Sequence, residues 1–282
     1  MPAQFQFSVC NEVFERTPFA QAAKTIRSIG YDGVEIAPFT LAESPAEVTA
    51  AQRSEYKRIL AQENLAFVGL HWLMVSPPGL HVTTPDTALR KKSWEHIRQL
   101  IDLCSDLGKG GVMVFGSPKQ RNTTGGVSPE EAKTIFADEL AKVAPQAEAR
   151  GVRILVEALP SNQSDVINTL GEAVGIVEAI GSPAVQTMFD THNAIDETEP
   201  HAQLIRKYFG HIAHVHVNEI DGQEPGTGDY DFAALVGVLS DLEYRGWISL
   251  EVFDFSRGAE AIAGGALRYL RQQIEAECRV RS

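Results

Sequence analysis

The sequence predicts an α/β fold, a single (β/α)8 barrel occupying residues 1–282, and three observations lead to it. Eight short apolar runs alternate with eight longer amphipathic stretches from one end of the chain to the other. No low-complexity linker, charge block or break in composition divides them. Ionisable and amide side chains collect where the short runs end, and that is the end at which such a barrel carries its chemistry.

In order, the short runs are Phe5–Val9, Gly33–Ile36, Phe67–Leu70, Gly111–Phe115, Arg153–Glu157, Val185–Asp190, Ile212–His216 and Trp247–Val252. Continuous runs of Val, Ile and Leu suit strands buried on both faces, as a parallel sheet requires. The helical patterns between and after them fall at 19–29, 46–63, 88–107, 129–149, 169–180, 201–209, 232–245 and 259–277. Ser128-Pro129-Glu130-Glu131 supplies a cap, a proline in the first turn and acids at the positive helix end. Gly151 and Gly181 stand where a left-handed residue stops a helix. An open, doubly wound sheet that binds a dinucleotide would carry Gly-x-Gly-x-x-Gly after its first strand. Here that turn reads Cys10-Asn11-Glu12-Val13-Phe14, so the closed barrel is preferred.

The bulk numbers narrow the function. The chain is 44% hydrophobic and 22% charged, ordinary globular values, with a formal charge of −12. A negative surface repels phosphate backbones, so sequence-independent nucleic-acid binding is not expected. No run is long and apolar enough to span a membrane, and Met-Pro-Ala-Gln-Phe-Gln-Phe carries no export signal. The expectation is a soluble cytoplasmic protein. Cys10, Cys104 and Cys278 match no zinc or redox spacing and read as reduced thiols, with Cys104 packed in a helix.

The residues that end the runs are Asn11-Glu12, Glu35, His71, Glu157, Asp190-Thr191-His192-Asn193, His214 to Asn218, and Glu251. A charge that terminates a buried strand must be paired, neutralised or bound to metal. Glu157, Asp190 and Glu251 around one barrel mouth would repel one another strongly without a cation. One histidine, His216, with three carboxylates makes a hard, oxygen-rich set suited to Mn, Mg or Co, with Zn or Fe as further options. Alternation along the strand places Trp247, Ser249 and Glu251 on one face, and His214, His216 and Asn218 on another. Glu251 and His216 then point inward at the top, with His214 one layer lower. Taken singly, each glutamate also reads as a cap or a surface ion pair, Glu12 and Glu35 above all. The metal reading rests on four residues from four strands together.

Those four carry a resemblance. Glu157 in Ile-Leu-Val-Glu, Asp190 in Met-Phe-Asp-Thr, His216 in His-Val-His-Val and Glu251 in Ile-Ser-Leu-Glu together resemble the xylose-isomerase-like barrel superfamily. The likeness is to its sugar isomerase and epimerase branch, with D-tagatose 3-epimerase-like and inosose- or hydroxypyruvate-isomerase-like proteins. Pro225-Gly226-Thr227-Gly228-x-x-Asp231-Phe232 is similar to a glycine-rich loop of that branch. The resemblance implies that Glu157, Asp190, His216 and Glu251 are metal ligands and that Glu157 and Glu251 double as acid/base residues. Two departures mark this chain. The branch often reads Asp-Thr-x-His where this sequence has Asp190-Thr191-His192-Asn193, and ketose 3-epimerases carry an arginine where this sequence has Gly222. Their substrate contacts are therefore not carried over.

The expected activity is proton transfer beside a carbonyl, through an enediolate that a divalent metal stabilises. The substrate would be a sugar, an inositol ketone or a small hydroxyketo compound. Return of the proton to the opposite face epimerises; return to the neighbouring carbon isomerises. Loss of a β-hydroxyl instead gives a lyase or dehydratase, acting on a 3-keto sugar or 3-dehydroshikimate type of substrate. A metal-dependent endonuclease would need a three-metal cluster, more histidines and a basic face, and a non-catalytic barrel would show no chemistry at all. His71, Trp72, His192 and Asn193 are expected to line the substrate pocket, with Asn11, Glu35 and Asn218 bonding hydroxyls. Phe115 reads as a stacking surface or as core filler. The segment 117–126 reads as a lid, in which Lys119 and Arg121 are either solvated loop charges or contacts for a carboxylate or phosphate. A homodimer is the expected assembly, by likeness to similar proteins.

Overall fold

The structure is a computed structural model that describes residues 5–280; Met1–Gln4, read above for export signals, lie outside the described residues. Among those residues, eight parallel strands close into a barrel in sequence order. They are β1 (Gln6–Cys10), β2 (Gly33–Ile36), β3 (Ala66–Leu70), β4 (Val112–Phe115), β5 (Arg153–Val156), β6 (Val185–Asp190), β7 (Ile212–Val217) and β8 (Trp247–Leu250). Closure runs through β1 and β8, where Gln6 to Val9 pair with Trp247 to Leu250. The surrounding helices are α1 (Phe19–Ile29), α2 (Ala50–Gln62), α3 (Thr87–Leu107), α4 (Pro129–Arg150), α5 (Leu170–Ile180), α6 (His201–Tyr208), α7 (Phe232–Asp241) and α8 (Ala259–Val280). No helix among the described residues is long and apolar enough to cross a membrane.

Capping explains why the helices start and stop where they do. Ser128 accepts from the backbone of Glu131, whose carboxylate returns a bond to the backbone of Ser128, and Pro129 occupies the first turn of α4. Gly151 and Gly181 close α4 and α5 at φ of 67° and 64°. Two boundaries differ from the predicted ones by four residues. The pattern at 46–63 begins as a 3-10 turn, Pro45–Glu47, and α2 starts only after Thr49, which forms a capping box with Gln52. The pattern at 232–245 ends at Asp241, and Glu243 takes a left-handed φ of 51°.

The core has two parts. The outer and larger one lies between strands and helices; Phe115 belongs to it, packed against Trp94 and Phe136, so it fills the core and does not stack a ligand. Inside the barrel, Val68, Val112, Val114, Leu155 and Met188 form a smaller apolar layer. Alternation then puts the next inward residues of these strands at the carboxyl end. Ser8 and Ser249 meet inside by a 2.8 Å hydrogen bond, which fixes the face of β8 that Glu251 continues. Cys10 and Cys104 are buried.

Candidate metal centre and active site

Glu157, Asp190, His216 and Glu251 follow or end β5, β6, β7 and β8, all four buried. Each offers a ligand atom, and these atoms lie within 4.8 Å of one another, a group that can hold a metal ion. His216 Nδ1 stands 3.2 Å from Glu251 Oε2 and 3.6 Å from Asp190 Oδ2. Burial, then Glu251 and Asp190, raise the pKa of Glu157 to about 8. Burial works against a charge on His216, but Glu35 and Glu251 outweigh it and lift its pKa well above the imidazole range. The cluster thus needs positive charge at its centre. A proton on His216 or a cation among the carboxylates can supply it, and three carboxylate oxygens with one imidazole nitrogen fit a hard divalent ion.

Neighbouring residues fix each candidate ligand. The backbone N–H groups of His192 and Asn193 both donate to Asp190 Oδ1 at 2.8 Å, which leaves Oδ2 facing the cluster. Asn193 Nδ2 donates to Glu157 Oε1 at 3.0 Å. The Glu157 backbone carbonyl accepts from Arg121 Nη1 at 2.8 Å, and Phe115 O accepts from the same nitrogen at 3.0 Å. Arg121 is wholly buried, and burial pushes its pKa down to about 10. It is therefore neither a solvated loop charge nor a contact at the cavity mouth. The segment after β4 is ordered around it: Ser117 adopts φ 52° and a single helical turn, Pro118–Arg121, carries the arginine inward. Gly116 makes room, since a Cβ there would stand 2.1 Å from Glu157 Oε2.

Three residues expected to bond substrate hydroxyls are engaged elsewhere. Glu35 is buried below the cluster, its carboxylate accepting from His214 at 2.8 Å and His216 at 3.0 Å. Burial disfavours its charge, but the two histidines prevail and hold its pKa well below the usual carboxylate range. Asn11 accepts from the Ala37 backbone and donates to Thr40. Asn218 holds the β6 end, accepting from the His192 backbone at 2.8 Å. His71, also expected in the pocket, is sealed beneath it and paired with Glu12 at 2.6 Å. Polar residues at strand ends thus divide into an upper set that faces the cavity and a lower set that braces it.

Two other groups with ligand spacing share residues with this one, Cys10–Glu12–His71–Glu251 and Cys10–Glu35–His216. Cys10, Glu12, Glu35 and His71 are fully buried, and burial drives the Cys10 thiol well above its ordinary pKa, so a thiolate ligand is disfavoured. Glu157 and Glu251, by contrast, line an open cavity of about 500 Å³ with Trp72, Asn193, Gln163 and Phe253. A larger groove, about 960 Å³, lies at the opposite barrel end beside Phe5, Asp32 and Trp247, away from the cluster. His192 borders the cavity residues, accepting from Gln163 at 3.1 Å and donating through Nδ1 to Ile220 O at 2.6 Å. Sequence reasoning missed Gln163, Leu159 and Phe253. For Phe253 a signal existed, since it lies two residues beyond Glu251 and so continues the same face.

Comparison with known proteins agrees with this architecture. A family model described as xylose isomerase-like TIM barrel matches residues 23–273. A probable ketose 3-epimerase from Synechocystis sp. is 23% identical over 270 residues, which cover 87% of this chain and 88% of that protein. A solved L-ribulose 3-epimerase superposes with a TM-score of 0.83 at 23% identity, covering 99% of this chain and 97% of the other. A 3-keto-D-glucoside 4-epimerase from E. coli gives 0.82 at 20% identity, covering 95% and 100%. With a match that spans nearly all of the barrel, the chain belongs to the xylose isomerase-like TIM barrel family.

Proposed function

We propose that this chain is a divalent-metal-dependent epimerase or isomerase of a sugar-like hydroxyketone, with Glu157 and Glu251 as its acid/base pair. The observation that carries the reading is the pairing of these two glutamates at one cavity, each beside Asp190 and His216. Relatives named as a ketose 3-epimerase and a 3-keto-D-glucoside 4-epimerase support it, since both names imply inversion at a sugar carbon.

Glu157, Asp190, His216 and Glu251 would hold the metal. When bound, a divalent ion supplies positive charge beside the oxygens where negative charge grows as a neighbouring C–H proton leaves. Glu157 and Glu251 come from β5 and β8, separated around the barrel, so they can approach a substrate carbon from different sides. One carboxylate takes the proton and the other returns one, which inverts the carbon. The bond from Asn193 orients Glu157 and leaves its second oxygen available. Trp72 and Phe253 at the wall limit water access to the exchanging proton.

The test is solvent deuterium exchange, followed by proton NMR, on a panel of 2-ketohexoses and 3-keto glucosides with the manganese-loaded protein. Exchange at a carbon beside the carbonyl is expected, and Glu157→Gln or Glu251→Gln should each reduce it about 100-fold or more. Undiminished exchange in both variants overturns the mechanism.

A further inference from the structure

The cavity has an apolar part beside its polar one. Four large hydrophobic side chains are exposed among the described residues: Val75 at 51%, Ile195 at 47%, Phe253 at 41% and Ile220 at 36%. Each lies in a segment leaving the carboxyl end of a barrel strand, after β3, β6, β8 and β7 respectively. Single exposed apolar residues need no explanation, but four confined to the face that holds the ionisable cluster do.

The rings are ordered as well. Trp72 and Phe253 are nearly parallel, 3° apart with centroids at 6.1 Å, and Phe39 extends the row behind Trp72 at 6.0 Å and 18°. His192 lies tilted beside Phe253, with centroids 5.1 Å apart. Gly222 permits this placement, because a Cβ there would come within 2.6 Å of the Phe253 ring, so no polar side chain reaches the rim from that position. Val75, Pro118 and Leu159 add to the apolar lining of the cavity, and Glu157, Glu251, Asn193, Gln163, Lys119 and Gln120 supply its polar lining. A volume of about 500 Å³ falls in the range of sites for ligands of drug size. Polar recognition at one part of the cavity and apolar contact along the other call for a ligand with both characters.

We infer that the substrate is a keto sugar bearing an aromatic substituent, an aryl glycoside whose ring packs against Val75 and the exposed part of Phe253. The sugar half of this assignment rests on the proposed function; the aromatic half rests on the rim alone.

Calorimetric titration of the manganese-loaded protein with phenyl and methyl 3-keto-β-D-glucopyranoside tests it. The phenyl compound should bind about tenfold more tightly or better, as burial of one aromatic ring predicts. Phe253→Ala and Val75→Ser should each shrink that ratio, and because both side chains are exposed, neither change disturbs the core. Equal affinities, or no binding of either compound, overturn the inference. Dissociation of a dimer by Phe253→Asp, found together with equal affinities, would give the rim to a second copy of the chain. Deuterium exchange measured on the same compounds reads the proposed function separately. Preferential phenyl binding without exchange keeps the aromatic contact and removes the epimerase; exchange on both with equal affinity does the reverse.

Discussion

His216 donates its Nε2 hydrogen to Glu35 at 3.0 Å and so turns Nδ1 toward Glu251, 3.2 Å away. Glu35 can only accept, because its carboxyl stays ionised with two histidines beside it. Without a cation the raised pKa keeps a proton on both nitrogens, and a bound cation would take the place of the Nδ1 proton while Glu35 holds the one on Nε2. A carboxylate behind a histidine ligand both orients the ring and raises its basicity.

Glu35→Gln should therefore weaken manganese binding about 10–100-fold, the usual effect of losing such a partner. Competition with a chelator measures it. Unchanged affinity would show that the orientation of His216 is fixed by packing instead.

Metal affinity should depend on pH through Glu157. Its pKa of about 8 means that the carboxyl is protonated at neutral pH until a cation displaces the proton. Below that value affinity should fall at least tenfold per pH unit, because His216 must release its own proton as well, and above it the Glu157 share of the dependence should level off. The linkage for stability follows from the same shift. The folded state holds a proton that the unfolded chain has released, so the Glu157 contribution to metal-free stability declines as pH rises from the ordinary carboxylate range to about 8. Thermal melts at several pH values, with and without manganese, check both signs.

Gly116→Ala should displace the Glu157 carboxylate, since the new Cβ would stand 2.1 Å from Oε2. Loss of metal affinity is the expected outcome. Gly175→Ala is the control, because no atom lies within 4 Å of its added Cβ in α5, and it should leave binding alone and stabilise the fold by about 0.5–1 kcal/mol.

Arg121→Met should remove the donor that serves Phe115 O and Glu157 O. Phe115 O keeps the 3.4 Å bond from the Glu157 backbone N–H, but leaving the buried Glu157 O without Arg121 costs about 1–3 kcal/mol, so a lower denaturation midpoint is expected. A midpoint within error of the parent would show that this carbonyl finds another donor.

The barrel was legible because buried parallel strands leave continuous apolar runs, and because Ser128, Gly151 and Gly181 punctuate helices by local chemistry. The four clustered residues were legible because charge at the end of a buried strand needs a reason. Orientation was harder to read. Glu35, Asn11 and Asn218 look like pocket residues in sequence, yet their depth and partners come from strands distant in the chain. Arg121 in a polar, glycine-containing segment reads as solvated, and only the turn at Ser117 takes it inward. The start of α2 was missed for a local reason, since Pro45–Glu47 is helical in pattern but tightens into a 3-10 turn before Thr49.

Elemental analysis of the purified protein beside a Glu157→Gln, Glu251→Gln double variant tests the central claim most directly. About one divalent ion per chain in the parent, and loss of it in the variant, is the predicted result, because one four-residue group reaches the cavity through Glu157 and Glu251. No uptake by the parent after incubation with Mn, Mg, Co or Zn, or equal metal content in both proteins, would contradict it.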